Sequence, residues 1–212
     1  PMASLKTITQ FKSRLAGGGA RPNLFEVNIN DFKFADAWDN ETFQFLCKAA
    51  ALPASSITPV EIPFRGRVLK VAGDRTFDTW AVTVINDEDF KLRTSFEQWM
   101  NGISKLSDAS GATTPNSYMG NAVVNQLGRS TTRFGNTNSG EGDASGGGTP
   151  LEPLRSYYFD GIFPTEVSSI DLSYESGDAI EEYTVTFQVQ YWIAGSNTST
   201  GSPSDQTGAV IV

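Results

Sequence analysis

Apolar and polar residues alternate along several stretches of the chain, and a two-residue period is typical of strands with one face in a core. Residues 24–30 carry one such run and residues 42–48 carry another. Because only a polar, turn-rich segment separates them, we expect these two strands to pair as a hairpin. The predicted inward side chains are Phe25, Val27, Ile29, Phe43, Phe45 and Cys47.

Residues 71–88 combine three signals in a row. Gly73 and Asp74 predict a tight turn, and the residues after them alternate as a strand. The inner face of that strand is predicted to hold Phe77, Trp80, Val82 and Val84, with Thr79, Ala81 and Thr83 on the other face. The polar run at residues 86–89 then predicts capping of a helix start.

The helix is predicted over residues 90–104, where apolar residues recur at helical spacing. They are Leu92, Phe96, Trp99, Met100 and Ile103. Residues 2–16 have a similar spacing, but three glycines at 17–19 interrupt it, so we expect a short helix or extended arm on a hinge. The predicted core anchors are Phe77, Trp80, Phe96 and Trp99.

Further strands are predicted at residues 65–71, 121–127, 155–160, 168–174 and 181–192. Prolines at 53 and 63 make the stretch before residue 65 unsuitable for a helix or a central strand. The closing strand has two distinct faces. Its apolar face holds Tyr183, Val185, Phe187, Val189 and Tyr191, and its polar face holds Glu182, Thr184, Thr186, Gln188 and Gln190.

Two segments are rich in Gly, Ser and Thr and poor in apolar residues. One is an insertion at about residues 128–154, and the other is the tail at 194–212. Neither carries enough apolar surface to offset the entropy of ordering it alone. We therefore expect an N-terminal arm and hinge at 1–19, one domain at 20–193 that contains the insertion, and a C-terminal tail.

The composition of the chain excludes several classes of function. A chain of 212 residues can bury a single core without disulfides, and its one cysteine, Cys47, is predicted to be a buried thiol. The absence of histidine removes Ser-His-Asp and Cys-His catalysis and the commonest zinc ligand. A formal net charge of −8 predicts repulsion from nucleic acid rather than binding. No apolar run approaches the roughly 18 residues of a membrane span, so we expect a soluble, unsecreted chain without a membrane anchor.

Candidate chemical motifs are weak. Gly140 and Gly142 lie in a Ser/Gly tract with no strand before it and no helix after it, so they do not form a dinucleotide fingerprint. Asp87, Glu88 and Asp89 lack the spacing of a calcium loop. The sequence therefore predicts no catalytic residue, no cofactor and no metal, and we expect the protein not to be an enzyme.

Four segments carry a family resemblance. They are residues 20–27 (ARPNLFEV), 43–54 (FQFLCKAAALPA), 72–88 (AGDRTFDTWAVTVINDE) and 161–167 (GIFPTEV), followed by the closing strand to Trp192. Together they resemble the tail tube proteins of contractile-tailed, T4-like bacteriophages. The likeness covers roughly residues 20–104 and 155–193, and the insertion departs from it.

This resemblance implies an α+β, mainly β fold: two antiparallel sheets as a sandwich or partial barrel with one flanking helix, as in phage tail and type VI secretion tubes. It also implies a structural virion protein, assembled in the host cytoplasm, that forms stacked hexameric rings and conducts genome DNA. The implied partners are further copies, the tail sheath, a tape-measure protein in the lumen, and baseplate and tail terminator proteins.

Two sets of site residues follow as hypotheses. Because the resemblance includes Asp74 and Arg75, we expect these two residues to form ion pairs with an adjacent protomer or ring, through Arg65, Arg67 or Asp78 of the neighbouring face. The polar face of the closing strand is expected to line the channel, where it would repel phosphate and offer no aromatic stacking platform.

Two other readings stay open. The tube protein of a non-phage contractile injection or type VI secretion system would share the fold and carry protein effectors. A hydrolase or carbohydrate-binding sandwich would need an acidic pair or an exposed aromatic platform, and the sequence shows neither clearly.

Overall fold

The structure, a computed structural model, describes residues 7–15, 19–35, 37–128, 153–174 and 180–195. Gly17 and Gly18 of the hinge, nearly all of the predicted insertion and most of the tail lie outside these residues. The elements are α1 (Ile8–Arg14), β1 (Phe25–Ile29), α2 (Asn40–Leu46), β2 (Cys47–Ala50), β3 (Ser55–Phe64), β4 (Arg67–Phe77), β5 (Trp80–Ile85), α3 (Lys91–Ile103), α4 (Pro115–Tyr118), β6 (Gly120–Leu127), β7 (Pro153–Val167), β8 (Glu182–Gln188) and β9 (Tyr191–Gly195).

Seven strands form a folded antiparallel sheet with neighbours in the order β1-β6-β7-β8-β5-β2, and β9 also pairs with β7. The first part of β7 pairs with β6 and β9, and residues 163–167 pair with β8. We call β1, β6, the first part of β7 and β9 sheet 1, and β2, β5, β8 and the end of β7 sheet 2. The terminal strands β1 and β2 do not pair, so the sheet is not closed into a barrel. The expected fold class of two antiparallel sheets with a flanking helix is confirmed.

Strand β7 passes between the sheets at Gly161, whose φ is +64°. A Cβ at this position would lie 2.6 Å from the Cγ of Gln190, in the link between β8 and β9. Position 161 therefore favours glycine for two reasons. Its backbone is left-handed, and the side chain of Gln190 lies too close to leave room for a Cβ.

The core lies between the two sheets and α3. Trp80 stacks on Phe159 at 4.5 Å between ring centroids, which joins sheet 2 to sheet 1. From α3, Phe96 and Trp99 meet Phe187 of β8 at 5.9 and 6.2 Å. Four of these rings, those of Trp80, Phe96, Trp99 and Phe187, are at most 1% exposed.

Several elements match the sequence prediction. Strands β1, β5 and β6 lie where the alternation predicts them, and α3 buries its predicted face through Leu92, Phe96 and Trp99. A short helix, α1, occurs within residues 2–16. The proline-containing stretch is neither a helix nor a central strand, as predicted, because β3 belongs to a separate two-stranded ribbon with β4.

The prediction of a strand at residues 42–48 is wrong. Most of this segment is the helix α2, which Asp39 caps by accepting hydrogen bonds from the backbone N–H groups of Glu41 and Thr42. The hydrogen bond from the Thr42 hydroxyl to the Asp39 carboxylate lowers the pKa of this carboxyl most, and the bonds from the two backbone N–H groups lower it further. Phe45 points outward and is 80% exposed. The predicted hairpin is also wrong, since β1 pairs with β6 and β2 pairs with β5.

The predicted tight turn at Gly73 and Asp74 and the predicted helix cap at residues 86–89 are wrong as well. Gly73 and Asp74 lie inside β4, and the reversal occurs at Arg65 and Gly66, so the third strand starts at Arg67 and runs on to Phe77. Helix α3 has Phe90 as its N-cap residue, in a left-handed conformation and without a side-chain cap.

The last predicted strands need two changes. Residues 168–174 form no strand in the structure, and the closing strand is split into β8 and β9, which belong to different sheets. The alternation therefore holds from Tyr183 to Val189, whereas Tyr191 is 42% exposed.

Candidate assembly and channel surfaces

The β3–β4 ribbon is a two-stranded ladder that pairs from Ser55 and Phe77 at its base to Phe64 and Arg67 at its tip. Arg65 and Gly66 close it with φ values of +48° and +80°, the signs of a two-residue type I′ turn. Seven of its large apolar side chains are 43–67% exposed: Ile57, Val60, Ile62, Phe64, Val68, Leu69 and Val71. Nothing in the described part of this chain covers them.

A bulge in the ribbon, closer to its base than to its tip, explains why Gly73 and Asp74 lie inside a strand. The register passes from Ile57 opposite Arg75 to Pro59 opposite Ala72, so Thr58 lies opposite both Gly73 and Asp74. A Cβ on Gly73 would lie 2.4 Å from the backbone oxygen of Thr58. The glycine thus permits a close approach of two backbones inside a strand.

Trp192 of β9 attaches the ribbon to the sheets. Its indole N–H donates to the backbone oxygen of Ala54 at 3.3 Å, and its ring meets Phe77 edge-on at 6.3 Å. These contacts lie at the base of the ribbon, just before β3 and at the end of β4. Trp192 is therefore a positioning residue for the ribbon, and sequence reasoning missed it because β9 follows a break in the alternation.

The predicted interface residues lie along the ribbon. Arg65 and Arg67 are at the tip, Asp74 and Arg75 lie at the bulge, and Asp78 follows the base of β4. None of them takes part in an ion pair with another described residue.

The outer face of sheet 2 carries four of the predicted channel residues: Glu182, Thr184, Thr186 and Gln188. The Thr184 hydroxyl lies 3.3 Å from the Thr83 hydroxyl of β5, which extends the polar face across the strands. The fifth, Gln190, lies at the bend between β8 and β9.

An ion pair on this face changes its electrostatics. The Lys48 ammonium of β2 contacts the Glu182 carboxylate of β8 across the intervening strand β5. Glu182 is therefore not the bare carboxylate that the sequence suggests. The pairing of residues 134 positions apart had no local sequence signal.

The end of β5 opposite to the ribbon leads into an acidic loop. Asp87, Glu88 and Asp89 are exposed, and Phe90 beside them is 44% exposed. Lys91 pairs with Asp89 at 3.1 Å, and the hydrogen bond and charge of Asp89 raise the pKa of this ammonium. We call residues 87–90 the acidic loop.

Among the described residues, no group of three or more Asp, Glu or Cys side chains could hold a metal ion. No helix in the described ranges is long and apolar enough to cross a membrane. Burial raises the pKa of the Cys47 thiol to about 12, which disfavours its thiolate.

Comparisons with known proteins agree with this geometry. A family model described as phage tail tube protein matches residues 20–195. The tail tube protein gp19 of Enterobacteria phage T4 is 33% identical over 177 residues, which are 84% of this chain and 93% of that protein.

Two solved structures share the fold. A chain from the anti-feeding prophage baseplate has a TM-score of 0.55 and 11% identity, covering 84% of this chain and 96% of its own. A chain from the sheath-tube complex of the extracellular contractile injection system PVC has a TM-score of 0.51 and 13% identity, covering 91% and 100%. The family match and the T4 relative go further than the fold: this chain belongs to the phage tail tube protein family.

Proposed function

We propose that this chain builds the inner tube of a contractile phage tail, as hexameric rings that stack around a channel for genome DNA. The observation that carries the proposal is the exposed β3–β4 ribbon. Fully burying one large apolar side chain stabilises by about 1.5–3 kcal/mol, so seven on one ribbon favour association strongly. We propose that further copies of the chain bury these apolar side chains.

Sheet 2 has the geometry for ring closure. Its outer strands are β2 and the end of β7, and each has a free edge among the described residues. The four strands alternate in direction, so β2 of one copy can pair antiparallel with β7 of the next. Such pairing removes both edges.

The size of the resulting ring suits DNA. Six copies of a four-stranded sheet, with strands about 4.8 Å apart and tilted about 40°, give a width on the order of 50 Å between facing backbones. The outer face of sheet 2 would line this channel with threonine and glutamine hydroxyls and amides. Paired Lys48 and Glu182 leave the wall without a strong positive charge to hold phosphate.

The proposed interface residues are Asp74, Arg75, Asp78, Arg65 and Arg67, and the absence of ion pairs between them and other described residues supports this role. We also propose residues 20–193 as the tube domain, with 1–19 as an arm and 194–212 as a tail. The family match over residues 20–195 supports these limits.

The proposed partners are a tail sheath outside the tube, a tape-measure protein inside it, and baseplate and terminator proteins at its ends. Structural neighbours from a sheath-tube complex and a baseplate support the sheath and the baseplate. We infer a purely structural, non-enzymatic role in the virion.

A tube that carries protein effectors in a non-phage injection system has the same architecture. The 33% identity to the phage T4 protein favours the phage, because the two neighbours from injection systems are only 11% and 13% identical to this chain. Electron microscopy of the purified chain tests the proposal. We expect rings with sixfold symmetry and tubes with an open channel, and a protein that stays monomeric at high concentration would contradict it.

A further inference from the structure

Helix α1 has an apolar face that its own chain does not cover. The helix begins at a capping box, in which Thr7 and Gln10 exchange hydrogen bonds between side chains and backbone N–H groups. Ile8, Phe11 and Leu15 recur at helical spacing and are 72%, 64% and 44% exposed. Because so short a helix is marginal in water by itself, packing of this face against a partner must stabilise it.

The arm that contains α1 is basic, although the chain is acidic. Residues 1–19 hold Lys6, Lys12 and Arg14 and neither Asp nor Glu, whereas the whole chain has a formal net charge of −8. The arm also precedes residues 20–195, which the tail tube family model matches. A surface that receives α1 should combine exposed apolar side chains with carboxylates.

A groove between the end of β7 and the start of β8 combines both features. It has a volume of about 540 Å³. Its lining includes three apolar side chains and three carboxylates: Leu172, Tyr174, Ile180, Asp171, Glu181 and Glu182. The three apolar side chains are each at least 72% exposed. We call this the acidic groove.

Two carboxylates of the acidic groove keep their charge unbalanced. Glu182 contacts the Lys48 ammonium, but Glu181 accepts a hydrogen bond from the neutral amide of Asn86 at 2.9 Å. Neither Glu181 nor Asp171 forms an ion pair with another described residue. The groove therefore attracts cations from outside its own chain.

The other exposed apolar surfaces suit the arm less well. On the β3–β4 ribbon, cations outnumber carboxylates and would repel the arm: Arg65, Arg67, Lys70 and Arg75 against Glu61 and Asp74. The acidic loop has the opposite charge to the arm, but it offers only Phe90 as a large apolar side chain. Charge and apolar area together favour the acidic groove.

The occupant of the groove comes from a second copy of the chain. In one copy, the apolar face of α1 and the acidic groove are open at the same time. The groove follows the end of β7, at the edge of sheet 2 where the proposed ring brings in the next copy. Residues 16–23 link α1 to β1 and extend up to about 29 Å, so the arm can reach a copy packed beside its own.

We propose that α1 of one copy docks in the acidic groove of a neighbouring copy, with Ile8 and Phe11 against Leu172 and Ile180. The cations of the arm then face Asp171 and Glu181. This rests on the proposed function, and it gives a role to a segment outside the matched domain. Once two copies meet, the docking of the tethered arm is a local event, so it strengthens their association at a high effective concentration.

A designed disulfide tests the contact. In a Cys47→Ala background, Leu15→Cys places a thiol on the apolar face of α1 and Ser173→Cys places one in the acidic groove. Tubes of this variant should oxidise to chains linked copy to copy, seen as a series of bands on a gel without reductant. The control replaces Ser173→Cys with Leu106→Cys, at a site that is 97% exposed and outside the groove. It should give at least about tenfold less cross-link, because disulfides form only between closely placed residues.

Two arm variants separate the apolar contribution from the charge. Ile8→Ser/Phe11→Ser and Lys12→Glu, each added to the cross-linking variant, should lower its yield by at least about fivefold at low salt. High salt should lower the yield with the native Lys12 more than with Lys12→Glu. Lys105→Glu makes the same charge change outside the arm and should have no effect. The melting temperature of the unassembled chain should stay unchanged in all three, since these side chains are exposed.

The outcomes distinguish the two proposals. If the wild-type chain forms no rings or tubes, the proposed function fails, and the same comparison of cross-links between free chains then decides the docking. If tubes form but the Leu15–Ser173 pair links no better than the control, the arm contact is wrong while the tube function stands. A disulfide that closes only within one chain, seen as a single faster band, would equally refute docking between copies.

Discussion

The α3 core and the β3–β4 ribbon are both rich in large apolar side chains, but only the core covers them within one copy of the chain. Trp99 and Phe187 are fully buried, whereas Phe64 and Leu69 are 67% and 60% exposed. Apolar alternation thus predicts that a face will be buried, but not whether its own chain or another copy buries it. Changes in the core should act on folding, and changes in the ribbon should act on assembly.

Truncation of Trp99 should have the largest effect on folding. Trp99→Ala removes a fully buried ring and a hydrogen bond from its indole N–H to the backbone oxygen of Tyr118, 2.7 Å away. We expect the free energy of unfolding to fall by about 3–5 kcal/mol. Urea denaturation of dilute, unassembled protein measures it. A normal unfolding curve together with failed assembly would place this residue between subunits instead.

Loss of the ribbon attachment should have an intermediate effect. Trp192→Phe keeps an aromatic ring near Phe77 but removes the N–H that donates to Ala54. We expect a loss of about 1 kcal/mol and faster hydrogen exchange confined to β3 and β4. Exchange in α3 is the internal control, and equal acceleration there would show that Trp192 supports the whole core.

The ribbon double variant should leave folding almost unchanged. Ile62 and Leu69 are paired across the ladder, and Ile62→Thr/Leu69→Thr keeps strand-compatible side chains at both positions. The free energy of unfolding should stay within about 0.5 kcal/mol of the wild type, because both sites are exposed, yet tubes should be lost. Leu106→Thr, at a site that is 97% exposed outside the ribbon, is the matched control. Normal tubes in the double variant would refute the assembly role of this face.

The smallest effect on folding is expected at the face that we propose to line the channel. Glu182→Lys places a second ammonium beside Lys48 at a partly exposed site, so stability should change by only a few tenths of a kcal/mol. In virions, however, the unbalanced positive ring should slow genome ejection at low salt and less so at high salt.

The matched variant Glu182→Gln keeps the shape of the side chain and leaves only Lys48 charged, so its delay should be smaller. Unimpaired ejection at low salt, with the lysine variant present in the tubes, would place this face on the outside of the tube.

The sequence predicts the parts of the fold that depend on local periodicity. The helical spacing of Phe96 and Trp99 and the alternation around Val82 and Val185 correspond to buried faces in the structure. The strand prediction for residues 42–48 fails because the spacing of Phe43, Phe45 and Cys47 fits a strand as well as a helix. The N-cap of Asp39, a stronger local signal, decides for the helix.

Features that depend on contacts between residues far apart in the sequence could not be predicted from local periodicity. Gly73 is required by the backbone of Thr58 across the ladder, and Gly161 by a bend against Gln190, so neither glycine marks a turn. The true turn at Arg65 and Gly66 lacks the usual Asn-Gly or Asp-Gly signal. The ion pair of Lys48 and Glu182 likewise exists only once β2, β5 and β8 lie side by side.

The ribbon tip, which carries Arg65 and Arg67, and the acidic loop at the far end of β5 give each copy two unlike ends. A polymer in which such ends met would leave one end of each kind free after every addition, so its growth would have no internal stopping point. In the proposed tube, the number of rings would therefore have to be set by another molecule.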